Sequence, residues 1–286
     1  MQHVQYTFSG GIDLTTEQWQ GYLVHVFDGG VVVQSPFGLN GQRVFGPDSD
    51  YTTMAISAIE LLQKNGEKIF SCRCSEEMDT RAILAATGVS CAQESEWHFL
   101  VADEALLVCT NQEIDEIPYL PSVVDVDEEF HHAISNAWVA ECSPDNISQG
   151  AYVSKAQYEE SIHARLGMQG QLSESEMIWP PRQRTDDGEL LPASTNTYIG
   201  LRGKIQSWTT LSAAGAPSEF AHRAPILGGL TSILVKLETS PLGVFLMVDD
   251  EEPEIDFDID VELVVRRIYA QDGFIRYGRK ARVVFE

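Results

Sequence analysis

Between Glu254 and Tyr269 the chain reads EIDFDIDVELVVRRIY, and its first half alternates strictly. Glu254, Asp256, Asp258, Asp260 and Glu262 are interleaved with Ile255, Phe257, Ile259 and Val261. A period of two places every carboxylate on one face of a strand and every apolar side chain on the other, which a helix cannot do. The surrounding sequence repeats the signal. GKIQSWTTL (203–211), SILVKLE (232–238), GVFLMV (243–248) and FIRYGRKARVVF (274–285) are short β-branched runs, with turns at Thr239-Ser240-Pro241-Leu242 and Gln271-Asp272-Gly273. Five such strands joined by tight turns predict a small closed antiparallel barrel of the OB-fold kind over 199–286.

The preceding sequence changes character. Residues 1–45 hold glycine-punctuated apolar runs (Gly10-Gly11-Ile12, YLVHVFDGG, VVVQSPFG) that read as strands. YTTMAISAIELLQKNG (51–66) and EEMDTRAILAATG (76–88) read as helices stopped by glycine. KIFSCRC (68–74) and WHFLVADEALLVCTN (97–111) read as strands. Strand–helix–strand alternation predicts an α/β domain over 1–142, so the fold class expected is α+β, with an N-terminal α/β domain followed by a five-stranded antiparallel barrel. DVDEEFHHAISNAWVAEC (125–142) and AYVSKAQYEESIHARLGMQGQL (151–172) read as helices, and SESEMIWPPRQRTDDGELLPASTNTY as a polar, Pro-rich linker. Residues 143–198 are thus expected to be a helix plus connection.

Charge narrows the function classes. The net charge is −24. Residues 1–150 hold 23 acidic and five basic residues, for −18, and the remainder carries −6. So negative a chain opposes nonspecific nucleic-acid binding. The last segment reverses sign: Arg266, Arg267, Arg276, Arg279, Lys280 and Arg282 are accompanied by only Asp272 and Glu286. Arg forks on neighbouring strands suit a phosphorylated small ligand, and a solvated hairpin or pairing with the preceding acids is the alternative. The acidic ladder reads as a solvated face that blocks edge pairing or docks a basic partner, with hard-cation binding a further alternative.

No apolar run approaches the roughly 20 residues needed to span a bilayer. MQHVQYTFSGG lacks a signal-peptide pattern, so the cytoplasm is the expected location. The five cysteines (Cys72, Cys74, Cys91, Cys109, Cys142) form no CxxC pair and read as buried reduced thiols, although Cys72-Arg73-Cys74 offers two thiolates to a metal. Cys109, after the apolar run 105–108, is placed most like a nucleophile, and a buried strand thiol is the plainer reading. Adjacent His131 and His132 diverge by about 100° on a helix and seldom share an ion. Asn146-Ile147-Ser148 fits a glycosylation pattern but reads as a surface loop. His222-Arg223, in a loop, has only its position to suggest nucleotide contact. No nucleophile elbow, Walker or dinucleotide fingerprint occurs, and no catalytic residue is assigned.

The C-terminal segment resembles the acyl-CoA-associated OB-fold family, whose members usually carry a rubredoxin-like zinc ribbon before the barrel. GKIQSWTTL resembles that family's Gly-x-Val-x-Ser-x-Thr first strand. Pro225 precedes SILVKLE as expected, and Tyr277-Gly278-Arg279-Lys280-Ala281-Arg282 resembles its Tyr-Gly-x-Lys-Phe-Arg ending. Trp179-Pro180-Pro181-Arg182 is similar to the Pro-Pro-Arg between the ribbon's cysteine pairs. No cysteine follows Cys142, so no zinc is expected there, and the ribbon is either lost or kept as a metal-free hairpin. A second segment, FGPDSDYTTMAISAIELL (45–62), resembles a stretch of archaeal-type hydroxymethylglutaryl-CoA synthases, which have the thiolase fold. That likeness implies a truncated, non-catalytic relative. Together the resemblances imply an accessory subunit of a CoA-dependent acyltransferase complex, partnered by a thiolase-fold or ketoacyl-synthase-like subunit. They imply coenzyme A or acyl-CoA at a shared site near the six basic residues, and neither nucleic acid nor membrane as partner. A nucleic-acid-binding barrel using Trp208, Phe245 and Tyr269, or an independent enzyme, are the alternatives.

Overall fold

The computed structural model describes residues 4–7, 13–114, 117, 124–146, 154–173, 176–184, 187–190, 196–239 and 241–284. Gly10-Gly11-Ile12, Ile147-Ser148 and Glu286 lie outside the described residues. The protein is a mixed α+β structure that divides into two compact units, Met1–His132 and Ala133–Phe285.

In the first unit, strands β1 (Val4–Thr7), β2 (Asp13–Trp19), β3 (Tyr22–Phe27) and β4 (Gly30–Gln34) are followed by short β5 (Phe37–Leu39) and β6 (Gln42–Arg43), then helix α1 (Tyr51–Lys64). β7 (Ser71–Arg73), helix α2 (Thr80–Thr87), β8 (Ser90–Cys91), β9 (Trp97–Asp103), β10 (Leu106–Thr110) and β11 (Val124–Asp125) complete it. Eight of the strands form one sheet in the order β1-β2-β3-β4-β10-β9-β7-β8. Its pairs are antiparallel up to β9; β7 runs parallel to both neighbours. Val31, Val32 and Val33 are all fully buried, as a continuous apolar run in a central strand requires. α1 packs over β4 and β10. It starts where the sequence predicts because Asp50 closes a capping box: Thr53 N–H donates to Asp50 Oδ1 at 3.0 Å, and Asp50 N–H donates to Thr53 Oγ1 at 2.9 Å.

In the second unit, helices α3 (Glu128–Glu141, of which the part from Ala133 belongs here) and α4 (Lys155–Leu166) precede β12 (Gln169–Ser173), β13 (Glu176–Ile178) and β14 (Asn196–Tyr198). These three strands form a sheet in the order β13-β12-β14, where the end of a helix (to 172) and a linker were expected. Strands of three to five residues are too short to show a clear period, which is why the sequence pattern missed them.

β15 (Arg202–Leu211), β16 (Leu230–Leu237), β17 (Leu242–Leu246), β18 (Asp260–Gln271) and β19 (Phe274–Val283) follow. Their order is β17-β16-β15-β18-β19, all antiparallel. A parallel bridge between Met247 and Ala281, with Val248 N–H donating to Ala281 O at 3.0 Å, joins the two outer strands. The sheet thereby closes on itself around Ile205, Ile233, Val235, Phe245, Val261, Leu263 and Ala281. The acidic ladder departs from expectation. β18 begins only at Asp260, because Asp258 adopts a left-handed φ of 61° and breaks the extended run. Ile255 and Ile259 still pack on the core, whereas Phe257 is exposed and meets Trp208 edge-on at 5.1 Å. Among the described residues, no helix is long and apolar enough to cross a membrane.

Candidate functional site

The β18–β19 hairpin carries the six basic residues singled out above. Asp272 and Gly273, both at positive φ, make its turn. The register pairs Glu262 with Arg282, Val264 with Lys280, Arg266 with Gly278, Arg267 with Tyr277 and Tyr269 with Arg276; Ile268 is an extra residue between the last two, a bulge in β18. Alternation along β19 sends Arg276, Lys280 and Arg282 to one face and Arg279, with Ala281 and Val283, to the other.

Most of these cations are withdrawn from solvent. Arg266, Arg276, Arg279 and Lys280 are buried, and acids distant in sequence neutralise much of the cluster. Lys280 Nζ lies 2.7 Å from Asp249 Oδ1, and Arg266 Nη2 lies 3.5 Å from Asp250 Oδ2. Arg282 reaches Glu251 Oε1 at 2.6 Å and Glu262 Oε1 at 3.2 Å. Arg279 donates from Nε to Leu166 O at 2.8 Å and from Nη1 to Leu263 O at 3.2 Å, tying α4 to the sheet. Arg267 stacks over Trp138 at 4.2 Å. The charge count along the sequence assigned only Asp272 and Glu286 to this segment, whereas the run 249–251, folded back from the end of β17, supplies the counter-charges.

Arg223 is a further buried cation whose role the sequence did not disclose. Its Nε donates to Glu141 Oε1 at 2.8 Å and its Nη1 to Asp249 Oδ2 at 3.3 Å, while Nη2 donates to Ile268 O and the guanidinium lies 3.9 Å over Trp138. Burial raises the Glu141 carboxyl above the usual range, and the Arg223 charge and hydrogen bond oppose that rise.

Arg276 differs from the rest of the cluster. It is 1% exposed, and among the described residues none of its three guanidinium nitrogens has a hydrogen-bond acceptor. Its contacts are the faces of Phe274 at 4.5 Å and Tyr158 at 5.1 Å. Burial pushes the Tyr269 phenol up, and the charge of Arg276 and a loose polar contact with it partly offset that rise, although the contact falls short of a well-formed hydrogen bond. A cavity of about 420 Å³ opens here, lined by Arg276, Arg279, Arg165, Tyr269, Trp179 and Val244 among others. Tyr158 fixes its inner wall by accepting from Tyr277 N–H at 2.9 Å and donating to Tyr277 O at 3.2 Å.

The remaining candidates separate. Trp208 is paired with Phe257, and Phe245 is buried and stacked on Trp179 at 5.5 Å, so Trp208, Phe245 and Tyr269 do not assemble one stacking face. His132 faces Glu128 at 3.7 Å on an exposed helix surface. His222 is exposed. Cys109 is fully buried, and burial pushes its thiol well up, as for an inert strand cysteine. In place of reduced thiols throughout, the first unit holds a Cys74–Cys91 disulfide, because the parallel β7–β8 pairing brings their Cα atoms to 5.8 Å. Cys72 Sγ lies 3.5 Å from Cys74 Sγ, and the three sulfurs are close enough together to share a metal ion if the bond were reduced. Burial pushes the Cys72 thiol up to about 11, which disfavours the thiolate a metal requires.

Two likenesses to known proteins stand out. The chain is 33% identical over 87 residues to a DUF35 domain-containing scaffold protein of Pyrococcus furiosus, a match covering 30% of this chain and 60% of that protein. It therefore spans less than two thirds of that relative's length. A solved chain described as Ltp2-ChsH2(DUF35) aldolase is 14% identical; the match covers 45% of this chain and 96% of that one, with a TM-score of 0.30, too low for anything to rest on it. No protein-family model matches the chain.

Proposed function

We propose that this protein is a non-catalytic scaffold subunit of a CoA-dependent, carbon–carbon bond-forming complex, in which a thiolase-like partner supplies the nucleophile that carries the acyl group. The observation that carries the reading is the similarity over 87 residues to a protein described as a DUF35 domain-containing scaffold. The strand order β17-β16-β15-β18-β19, closed by the Met247–Ala281 bridge, supports an OB-type barrel as the scaffold's core. The cations that a catalytic or phosphate site would expose are largely spent on holding α3, α4 and the barrel together. Of the six hairpin cations, Arg267 and Arg282 keep part of their surface in solvent, so a coenzyme A phosphate at a subunit junction would be met from that side. The segment 45–62 remains, in this reading, a relic of a thiolase-fold enzyme retained for contact.

Affinity purification of the tagged chain from its native cells tests the proposal. Recovery of a thiolase-fold protein in stoichiometric amount, with acyl-CoA turnover only in the assembled complex, is expected. Turnover by the isolated chain, or a clean monomer in every preparation, would overturn it.

A further inference from the structure

The Arg276 cavity has the features of a ligand site rather than of a packing defect. An ionised side chain 99% removed from solvent normally finds an acceptor, because the cost of burying an unpaired charge is large. Arg223, Arg266, Arg279 and Lys280 all do so within the same unit. Arg276 alone among these buried cations has every nitrogen without an acceptor, and it borders a space of about 420 Å³, the size of a small-molecule pocket. The aromatic faces of Phe274 and Tyr158 stabilise its charge but leave the in-plane N–H groups free to donate.

Around the cavity the charge is locally positive. Arg276, Arg279 and Arg165 line it, and Glu219 contributes a negative charge on the Tyr269 side. Arg279 is already committed to two backbone carbonyls, and Arg165 is exposed. One guanidinium is therefore available in the dry interior, with the Tyr269 hydroxyl near it. That complement suits a singly charged, two-oxygen acceptor, which a fork of parallel N–H groups holds bidentately. A phosphate dianion would need more donors than these. The rest of the wall is apolar, and Leu242 and Val244, both largely exposed, form an apolar rim.

We infer that this cavity binds a monocarboxylate with an apolar body, its carboxylate on Arg276 and its tail running past the β17 rim. The inference does not depend on membership of any complex, since the cavity lies within one unit of the chain.

Calorimetric titration of the full-length chain with octanoate, 1-octanol and coenzyme A tests it. Octanoate should bind at one site per chain, at least tenfold more tightly than 1-octanol. Arg276→Met should lose at least tenfold for octanoate and change octanol little, and Arg276→Lys should retain part of the preference. Val244→Trp, at an exposed rim position, should block octanoate while leaving Arg276 in place, so the outcome does not hinge on how well the arginine variants fold. Equal affinity for octanoate and octanol, no octanoate binding, or octanoate binding untouched by Val244→Trp would overturn the proposal. So would coenzyme A binding with which octanoate does not compete but which Arg276→Met abolishes.

Discussion

Replacing Arg223 by Met isolates the energetics of the buried charge network. The substitution keeps an unbranched apolar side chain but removes both ion pairs of the guanidinium, its hydrogen bond to Ile268 O and its stacking over Trp138. Asp249 keeps Lys280 at 2.7 Å, so its loss is partial. Glu141, fully buried, keeps the Ala270 N–H at 3.3 Å as its remaining donor among the described residues. Breaking such a buried pair on one side costs about 3–5 kcal/mol, most of it the stranded carboxylate. The pH dependence has a definite sign. Glu141 has a folded-state pKa raised above its ordinary 4.5, so between those values the native state binds more protons and this group's contribution to stability falls as pH rises. Without Arg223 the folded pKa climbs further and the window widens, each unit corresponding to about 1.4 kcal/mol. Guanidinium unfolding at pH 7.5 and pH 5 should therefore show the full loss at the higher pH and a clearly smaller one at the lower. Adding Glu141→Leu should recover part of the deficit at pH 7.5 and remove the extra pH dependence. A loss below about 1 kcal/mol, or one equal at both pH values, would refute this account of the network.

Two further substitutions test the scaffolding around it. Gly203→Ala would place a Cβ 2.5 Å from Val235 Cγ1 and 2.6 Å from the backbone oxygen of Lys236, so thermal unfolding should report a destabilisation of about 1–3 kcal/mol from overpacking at the start of β15. Cys91→Ser opens a disulfide spanning 17 residues, and should lower stability by about 3 kcal/mol and make the melting temperature insensitive to reductant. A wild-type melting temperature that already ignores reductant would count against that bond.

What the sequence made legible was the part governed by local periodicity. β15 to β19, α1 and α2 lie where alternation, capping residues and glycines placed them. The acidic ladder shows the limit: Glu254 to Ile259 alternate perfectly, yet Asp258 turns left-handed and the strand starts two residues later. Composition marks a stretch as compatible with a strand but does not fix its backbone: the ladder to β15 begins at Asp260, and Asp258 and Ile259 still bond Ile205 across the break. The basic hairpin was visible as residues, but the burial of four of its six cations was not. Its neutralising partners sit at 249–251, while Glu141 stands 82 positions from the Arg223 it holds. The orphaned state of Arg276 could not be read at all, because it depends on which cations find acids in three dimensions. The short sheet β13-β12-β14 was hidden for the opposite reason, its strands being held by tertiary hydrogen bonds rather than by a pattern of their own.

Internal cations alter how the molecule meets others at a distance. Arg43, Arg223, Arg266, Arg276, Arg279 and Lys280 are all buried, so the outside is poorer in positive charge than 19 basic against 43 acidic residues already implies. Copies of the chain repel one another at low ionic strength, and polyanions are turned away before contact. Approaching proteins are sorted first by their own charge: a basic face is steered in, and an acidic one docks only as salt shortens the reach of the repulsion to about 8 Å. Assembly with any acidic protein would for that reason be a reaction that added salt accelerates, the reverse of what an exposed arginine hairpin would have produced.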